Sequence, residues 1–335
     1  MIRTFANTDG RFALTGDTLE YLDGAVWVDI LRPDKDEETA VERALGIDVP
    51  TIEEMSEIEV SSRLYTEDGG TFMTAMMLSH TDGDNVILSP ITFILKGELL
   101  VTVRYAEPRS IDAFIARCQK GAAYTADGVV TGLLEGLIER IGDVLERTGH
   151  ELDDLSDNIF AIPAPQVAGA SVPAIPTKSE KRRPRNFQSV LEQIGRKGDL
   201  LSKVRESLVS FQRLLTFGTE IAASRKPGKE YEGRIRTLSR DVQSLSDHTT
   251  FLTQKINFLL DATLGMINIE QTGIIKIFSV AAVVFLPPTL IASIYGMNFT
   301  HMPELSWPYG YPMAIGLMIL SAIVPYQFFK WRGWL

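Results

Sequence analysis

The sequence predicts an α+β globular domain followed by a long helix and two C-terminal transmembrane helices. Residues 1–105 alternate short apolar runs with turns, and no proline lies between Pro227 and Pro287. Near the C-terminus, the stretches 277–295 and 305–329 contain 19 and 25 residues without a charge. About 20 apolar residues in helical form cross a bilayer, so both stretches are long enough to span one.

Residues 1–130 form the predicted N-terminal cytoplasmic α/β domain. A helix is expected over 36–45, and strand candidates follow the period and composition of β-structure at residues 26–30, 71–78, 91–95 and 99–104. Lys96-Gly97-Glu98 between the last two strands indicates a hairpin. We expect a small α+β or αβα layered domain. No Gly-rich phosphate loop, His/Cys cluster or nucleophile motif occurs there, so the chain is not predicted to be an enzyme.

Residues 131–224 are predicted to form two antiparallel cytoplasmic helices. Apolar residues recur at helical spacing over 131–160 and over about 187–224. The segment 161–187 between them contains five prolines and a basic run, which favours a flexible linker or hairpin tip. Acidic residues crowd the first helix, either as an ordinary solvated face or as a surface that concentrates cations.

The membrane part follows a simple order. We predict that a stalk helix continues into the first transmembrane helix over residues 229–296, with the membrane part at about 275–296. An outer (periplasmic) loop follows at 297–310, and the second transmembrane helix at 311–330. Lys276, Lys330 and Arg332 flank the spans on one side, and the loop between the spans contains neither Lys nor Arg. The positive-inside rule therefore predicts a multi-pass protein of the cell inner membrane with both termini in the cytoplasm.

Composition excludes several other classes. The net charge of −10 argues against a nucleic-acid partner, which would favour a basic face, and suits a protein that gathers cations. The single cysteine, Cys118, excludes an internal disulfide framework. Residues 1–17 contain no apolar run, so no cleavable signal peptide is expected.

The long helix carries two different stripes. Apolar residues recur at steps of three and four from Leu238 to Met266, so this helix is expected to pack lengthwise against others. A second line repeats every seven residues and drifts only about 20° per step. Its members are Asp247, Gln254, Asp261, Asn268, Ile275, Ala282 and Thr289. In a monomer this line is a solvated face, whereas around an axis of several copies it would line a polar tube that narrows to an apolar neck.

The segment between the spans carries a recognisable motif. It reads YGMNF at 295–299 and MPEL at 302–305, and the chain ends in KWRGWL. With the FLPPTLIASI run before it, this region resembles the CorA family of magnesium transporters, whose signature is Gly-Met-Asn at the outer end of the penultimate span. The strong resemblance covers about 259–335, and the order of helices upstream is consistent with it.

The resemblance implies a funnel-shaped homopentamer with an αβα cytoplasmic domain that takes up Mg²⁺, with Co²⁺ and Ni²⁺ as secondary ions and no organic cofactor. It assigns Gly296, Met297 and Asn298 to a selectivity filter, in which amide oxygens accept hydrogen bonds from the waters that Mg²⁺ keeps. Glu304 would attract cations toward this mouth. By the same alignment the pore is lined by Asp261, Asn268, Thr272, Ile275, Phe278, Ala282, Leu286 and Thr289. Asn298 lies about half a turn off this line on an ideal helix, so its place in the pore rests on the resemblance.

The family also senses cytoplasmic Mg²⁺ at acidic sites between subunits, which makes Mg²⁺ a regulatory ion as well as a transported one. Asp241 and Asp247 on the stalk are the candidates for such a site. The stalk spacing differs from the family pattern and prevents a residue-by-residue match.

Two other functions stay open at this point. The related ZntB branch transports zinc and typically carries Gly-Val-Asn, so Met297 favours the magnesium branch. A non-conducting, membrane-anchored coiled-coil scaffold would explain the heptads and the two spans. It would not explain a polar line that continues into the first span.

Overall fold

The computed structural model describes most of the chain, namely residues 1–8, 10–17, 22, 24–59, 61–83, 85–119, 123–160, 187–225, 229–297, 302–303 and 307–332. The chain divides into two compact units, Met1–Leu260 and Asp261–Leu335.

Unit 1 contains a seven-stranded sheet in the order β2-β1-β3-β7-β6-β5-β4. Its strands are β1 (Ile2–Thr8), β2 (Arg11–Gly16), β3 (Ala25–Leu31), β4 (Leu64–Glu67), β5 (Gly70–Ser79), β6 (Ile87–Lys96) and β7 (Leu99–Arg104). Among the described strands, β3 and β7 pair in parallel and the other neighbours pair antiparallel.

Helices cover both faces of this sheet. The helices of the chain are α1 (Lys35–Leu45), α2 (Ile52–Met55), α3 (Arg109–Cys118), α4 (Ala126–Phe160), α5 (Phe187–Arg225), α6 (Lys229–Tyr295) and α7 (Gly310–Trp331). On one face, Val41 of α1 and Met55 of α2 join the buried cluster that contains Val28. On the other face, the Trp27 ring lies 6.1 Å from the Phe114 ring of α3, centroid to centroid. The expected αβα layering of the N-terminal domain is therefore present.

The strongly periodic elements match their prediction. All four strand candidates, the α1 helix and the β6–β7 hairpin are confirmed, each within a few residues. Strands β1, β2 and β4 and helices α2 and α3 were not predicted. Of the expected linker 161–187, Phe187 begins α5, and the rest lies outside the described residues.

Helix α4 begins at Ala126, ahead of the predicted boundary, because its first turns pack on α3. Gly132 allows the close approach, since a Cβ there would lie 2.3 Å from Cε2 of Phe114. Phe114 is itself buried against Trp27 and Tyr124, so its ring has little room to move. The first turns of α4 consequently belong to the helical layer on the sheet.

Helices α4 and α5 run antiparallel, as predicted. Lys197 forms a salt bridge of 2.6 Å with Glu151, while Gly218, nearer the end of α5, lines a small cavity together with Asp127 at the start of α4. The first part of α6 runs parallel to α4, because Arg234 pairs with Glu135 at 2.8 Å and, further along both helices, Leu252 lies beside Gly149.

A buried carboxylate joins the central strands. Asp29 on β3 accepts hydrogen bonds from Arg104 Nε and Nη2, both at 2.9 Å, and from the Thr102 hydroxyl at 2.8 Å, both residues on β7. Arg3 on β1 donates to the same carboxylate at 2.7 Å. Trp27 Nε1 donates to the Thr102 hydroxyl at 3.0 Å and extends the network. Asp29 therefore connects three neighbouring strands.

Burial raises the pKa of Asp29, but the hydrogen bonds and positive charges of Arg104 and Arg3 outweigh it and hold the pKa below the usual 3.8. A carboxyl whose pKa is lower in the folded state stabilises the fold above its unfolded pKa. This stabilisation is lost as the pH falls through the folded value.

We expect Asp29→Asn to lower the free energy of unfolding at pH 7 by about 3–5 kcal/mol, because it leaves buried arginine charge uncompensated. Denaturation of the detergent-solubilised protein measures this. Asp112→Asn is the matched control: its exposed carboxylate lies 3.8 Å from the same Arg3, and it should cost less than about 1 kcal/mol. The difference in free energy of unfolding between wild type and Asp29→Asn should shrink as the pH falls below 3.8. If this difference is as small at pH 7 as it is at low pH, the role of Asp29 is contradicted.

Candidate functional site

The residues predicted to line a pore all lie on helix α6 within unit 2. On an ideal α-helix they fall within a sector of about 120°. All of them are exposed in the single chain: Asp261, Asn268, Thr272, Ile275, Phe278, Ala282, Leu286 and Thr289. We call this set the α6 line. Its polar members come first along the chain, and Ile275, Phe278 and Leu286 are 65%, 71% and 66% exposed.

Both threonines of the α6 line bond back to their own helix. The Thr272 hydroxyl donates to the Asn268 carbonyl at 2.8 Å, and the Thr289 hydroxyl donates to the Phe285 carbonyl at 2.7 Å. These bonds use the hydroxyl hydrogen and leave oxygen lone pairs as acceptors. Thr272 and Thr289 therefore offer acceptors, as do the oxygens of Asp261 and Asn268.

The apolar stripe of α6 in unit 1 is buried, in contrast to the α6 line. Leu238, Val242, Leu252 and Leu259 are at most 4% exposed. Part of this stripe packs on α4 at two glycines seven residues apart. A Cβ at Gly142 would lie 3.7 Å from Leu245, and a Cβ at Gly149 would lie 3.8 Å from Leu252. The predicted lengthwise packing is therefore present within one chain.

Helix α6 continues through Pro287 and Pro288 and ends at Tyr295. The two prolines lack an N–H, so they remove the helical hydrogen bonds that would reach the carbonyls of Val283 and Val284. Together with α7, this helix gives the chain two helices that are long and apolar enough to cross a membrane.

The chain turns directly after α6 at two of the predicted filter residues. The Gly296 N–H donates to the Ala292 carbonyl at 2.9 Å, and the Met297 N–H donates to the Ile294 carbonyl at 3.3 Å. A Cβ at Gly296 would lie 3.0 Å from the Ala292 carbonyl oxygen, so a larger residue would crowd this turn. Asn298 and Glu304 lie outside the described residues.

The regulatory candidates lie on α6 in unit 1. Asp247 accepts a hydrogen bond from Gln243 at 3.1 Å. Asp241 lines a cleft of about 530 Å³ with Glu135, Glu139 and Asp143 of α4. Within the part of the chain that the structure describes, no three Asp, Glu, His or Cys side chains are arranged to hold a metal ion. The sequence shows that α4 is acidic but not that three of its carboxylates share a cleft with Asp241, since only the packing of α4 on α6 brings them together.

Comparison with known proteins gives consistent results over the full length. The family model for the CorA-like Mg²⁺ transporter protein matches residues 23–173 and 185–330. The magnesium transport protein CorA of Pasteurella multocida is 36% identical over 341 aligned positions, covering 100% of both chains. That of Escherichia coli K12 is 37% identical and covers 93% of this chain and 92% of the relative.

A solved structure supports the same fold. The complete CorA magnesium transporter of Methanocaldococcus jannaschii superimposes with a TM-score of 0.75 at 18% identity, covering 100% of this chain and 99% of that one. The family consists of ion transporters and not of enzymes. The extent of the family match and the identity to full-length relatives show that this chain belongs to the CorA-like Mg²⁺ transporter family.

Proposed function

We propose that copies of this chain assemble around an axis lined by α6 and conduct Mg²⁺ across the cell inner membrane into the cytoplasm. The observation that carries this proposal is the α6 line: eight residues on one helix face, all exposed in the single chain. Two transmembrane helices per copy cannot enclose an ion path, so conduction requires an oligomer. The resemblance to CorA favours a homopentamer.

The order of residues along the α6 line suits a hydrated divalent cation. Carboxylate, amide and hydroxyl oxygens at Asp261, Asn268 and Thr272 accept hydrogen bonds from the waters that Mg²⁺ retains. Ile275, Phe278, Ala282 and Leu286 then form an apolar neck, which closes by dewetting when it narrows. The acceptor at Thr289 lies beyond this neck.

At the outer mouth, Asn298 forms the ring of amide oxygens, and Gly296 and Met297 shape the turn that presents it. Glu304 attracts cations toward this ring. With both termini in the cytoplasm, a negative interior drives cations inward by about 2.3 kcal/mol per charge per 100 mV. Co²⁺ and Ni²⁺ would share the path. The lipid bilayer and the other copies are the partners, and neither nucleic acid nor an organic cofactor is needed.

Cytoplasmic Mg²⁺ also regulates the proposed channel. Asp241 and Asp247 are exposed on α6, where acidic faces of neighbouring subunits would repel one another. Bound Mg²⁺ would hold such faces together and keep the pore shut, and its loss would let the subunits separate.

Asn298→Ala should reduce Mg²⁺ influx into proteoliposomes at least about tenfold, because the ring of acceptors at the mouth is lost. Asn298→Asp should also slow influx, since a ring of negative charge holds the ion too strongly. A fluorescent probe measures flux, and the mass of the detergent-solubilised complex checks that assembly is intact. Unchanged influx in Asn298→Ala would favour a scaffold, and wild-type Zn²⁺ influx without Mg²⁺ influx would favour a zinc transporter.

Asp261→Lys should reduce Mg²⁺ influx about tenfold or more, because a ring of positive charge on the axis repels the ion. Glu270→Lys is the matched control: it makes the same charge reversal nine residues along α6, on the opposite side of an ideal helix. Influx through Glu270→Lys should stay within about twofold of wild type. Equal losses in both variants would exclude an axis lined by the α6 line.

The double variant Asp241→Asn/Asp247→Asn should stay active at cytoplasmic Mg²⁺ concentrations that close the wild type. We expect the concentration for half-inhibition to rise about tenfold, because the carboxylates that would bind Mg²⁺ and hold the subunits together are gone. Flux measured against Mg²⁺ on the cytoplasmic side checks this, with Asp36→Asn, an exposed carboxylate of α1, as the control. An unchanged inhibition curve would remove both residues from the regulatory site.

A further inference from the structure

A cleft of about 400 Å³ lies in unit 1 between α5 and the edge of the sheet. Residues of α5 at three- and four-residue spacing form one wall, from Ser202 to Arg213. Arg63 and Leu64, where β4 begins, and Thr74 on β5 form the other wall. Sites for small molecules typically measure about 300–1,000 Å³, so this cleft is large enough for one.

The charge of this cleft is opposite to that of the chain. Arg63, Arg205 and Arg213 line it together with a single carboxylate, Glu206, although the chain as a whole carries a net charge of −10. Among the described residues, none of the three arginines lies within salt-bridge distance of a carboxylate. Like charges in a confined space repel each other, so an anion between them would stabilise the cleft.

Arg63 is held in place but incompletely bonded. Its backbone carbonyl accepts a hydrogen bond from the Thr74 N–H at 2.9 Å, and its Nη2 donates to the Ser56 carbonyl at 3.2 Å. Its Nε is buried and has no acceptor within the described part of the chain. Burial lowers the pKa of Arg63, the negative charge of Glu206 raises it, and the positive charge of Arg213 lowers it. A buried donor without an acceptor is costly, and a ligand oxygen would satisfy it.

The hydroxyl groups of the cleft already have protein partners. Ser210 accepts from the Met76 N–H at 2.8 Å and donates to the Ser207 carbonyl at 2.7 Å. Thr74 pairs with Thr92, and Ser202 donates to the Gly198 carbonyl. The guanidinium groups are consequently the donors left for a ligand, and their forked geometry matches the oxygens of an anion.

The lining charge distinguishes among anions. Three guanidinium groups and one carboxylate give a net charge of +2, and a phosphate monoester carries about −1.5 to −2 at pH 7. A carboxylate ligand, with one negative charge, would neutralise only half of the net charge of the cleft. Leu64 and the 41% exposed Val209 add an apolar wall beside the arginines.

We propose that this cleft binds a phosphate-bearing small molecule, with its phosphate between Arg63, Arg205 and Arg213 and its apolar part against Leu64 and Val209. The site lies in unit 1 and does not depend on the proposed ion path. Absence of ligand binding would therefore leave the proposed transport standing, and absence of transport would leave the binding site standing.

Titration calorimetry of the full chain in detergent, in buffer free of Mg²⁺ and phosphate, tests the proposal with inorganic phosphate and AMP as probes. Both should bind the wild type, and AMP should bind more tightly because it also covers the apolar wall. Equal affinity for the two probes would overturn the apolar part of the proposal. Absence of binding of either probe at millimolar concentration would overturn the whole.

Arg205→Gln and Arg213→Gln should each weaken AMP binding about tenfold or more, as expected for the loss of a charged hydrogen bond. Arg43→Gln, the same change on α1 across the sheet, should leave the affinity within about twofold of wild type. Thermal unfolding without ligand identifies any variant that is misfolded. Wild-type affinity in both folded cleft variants would contradict the site.

Discussion

The carboxylate of Asp29 is the constraint on which the globular unit depends. It bonds to Arg3 on β1 and to Thr102 and Arg104 on β7, so one side chain determines how three strands lie side by side. A buried ion pair is weak evidence for stability, because removing both charges from water is costly. Its effect is on register: sliding β3 by one residue would turn Asp29 to the opposite face and leave Arg104 unpaired. The register of β3 therefore also places Trp27 on the face of the sheet that α3 and α4 cover.

Helix α6 differs between its two parts, since an apolar stripe is buried in unit 1 whereas the α6 line in unit 2 is exposed. Its apolar stripe in unit 1 is buried within the same chain, partly against α4 at Gly142 and Gly149. The α6 line is exposed and includes aromatic and aliphatic side chains such as Phe278. An exposed apolar run of this length needs lipid or protein to cover it. Asp261 and Asn268 on the same face need water or polar groups instead, and an axis shared by several copies is one environment that supplies both.

Elements whose pattern is long and local are predictable from the sequence. The helical periods of α5 and α6 and the apolar run of β7 need no tertiary information. Strands β1 and β2 and helix α3 are not predicted, because their short apolar runs are interrupted by polar residues. Two groups of residues that only packing brings together are not predicted either: the Asp29 network, and the cleft lined by Arg63 and Arg213, which are 150 positions apart in the sequence. Asn298 came from the resemblance to CorA, since helical geometry alone places it off the α6 line.

The oxygens assigned to the outer part of the proposed path, those of Thr289 and Asn298, are neutral, and this has a physical reason. A unit charge 4 Å from another is worth about 1 kcal/mol in water but about 4 kcal/mol near protein. A ring of carboxylates around a divalent ion multiplies this attraction by the number of copies and by two. Such a site would hold the ion too long to pass it on. Amide and hydroxyl oxygens, as proposed for Asn298 and Thr289, would instead bind the ion through its waters. In the proposed path the carboxylate of Asp261 would lie before the neck, where it would attract ions without trapping them in the narrow part.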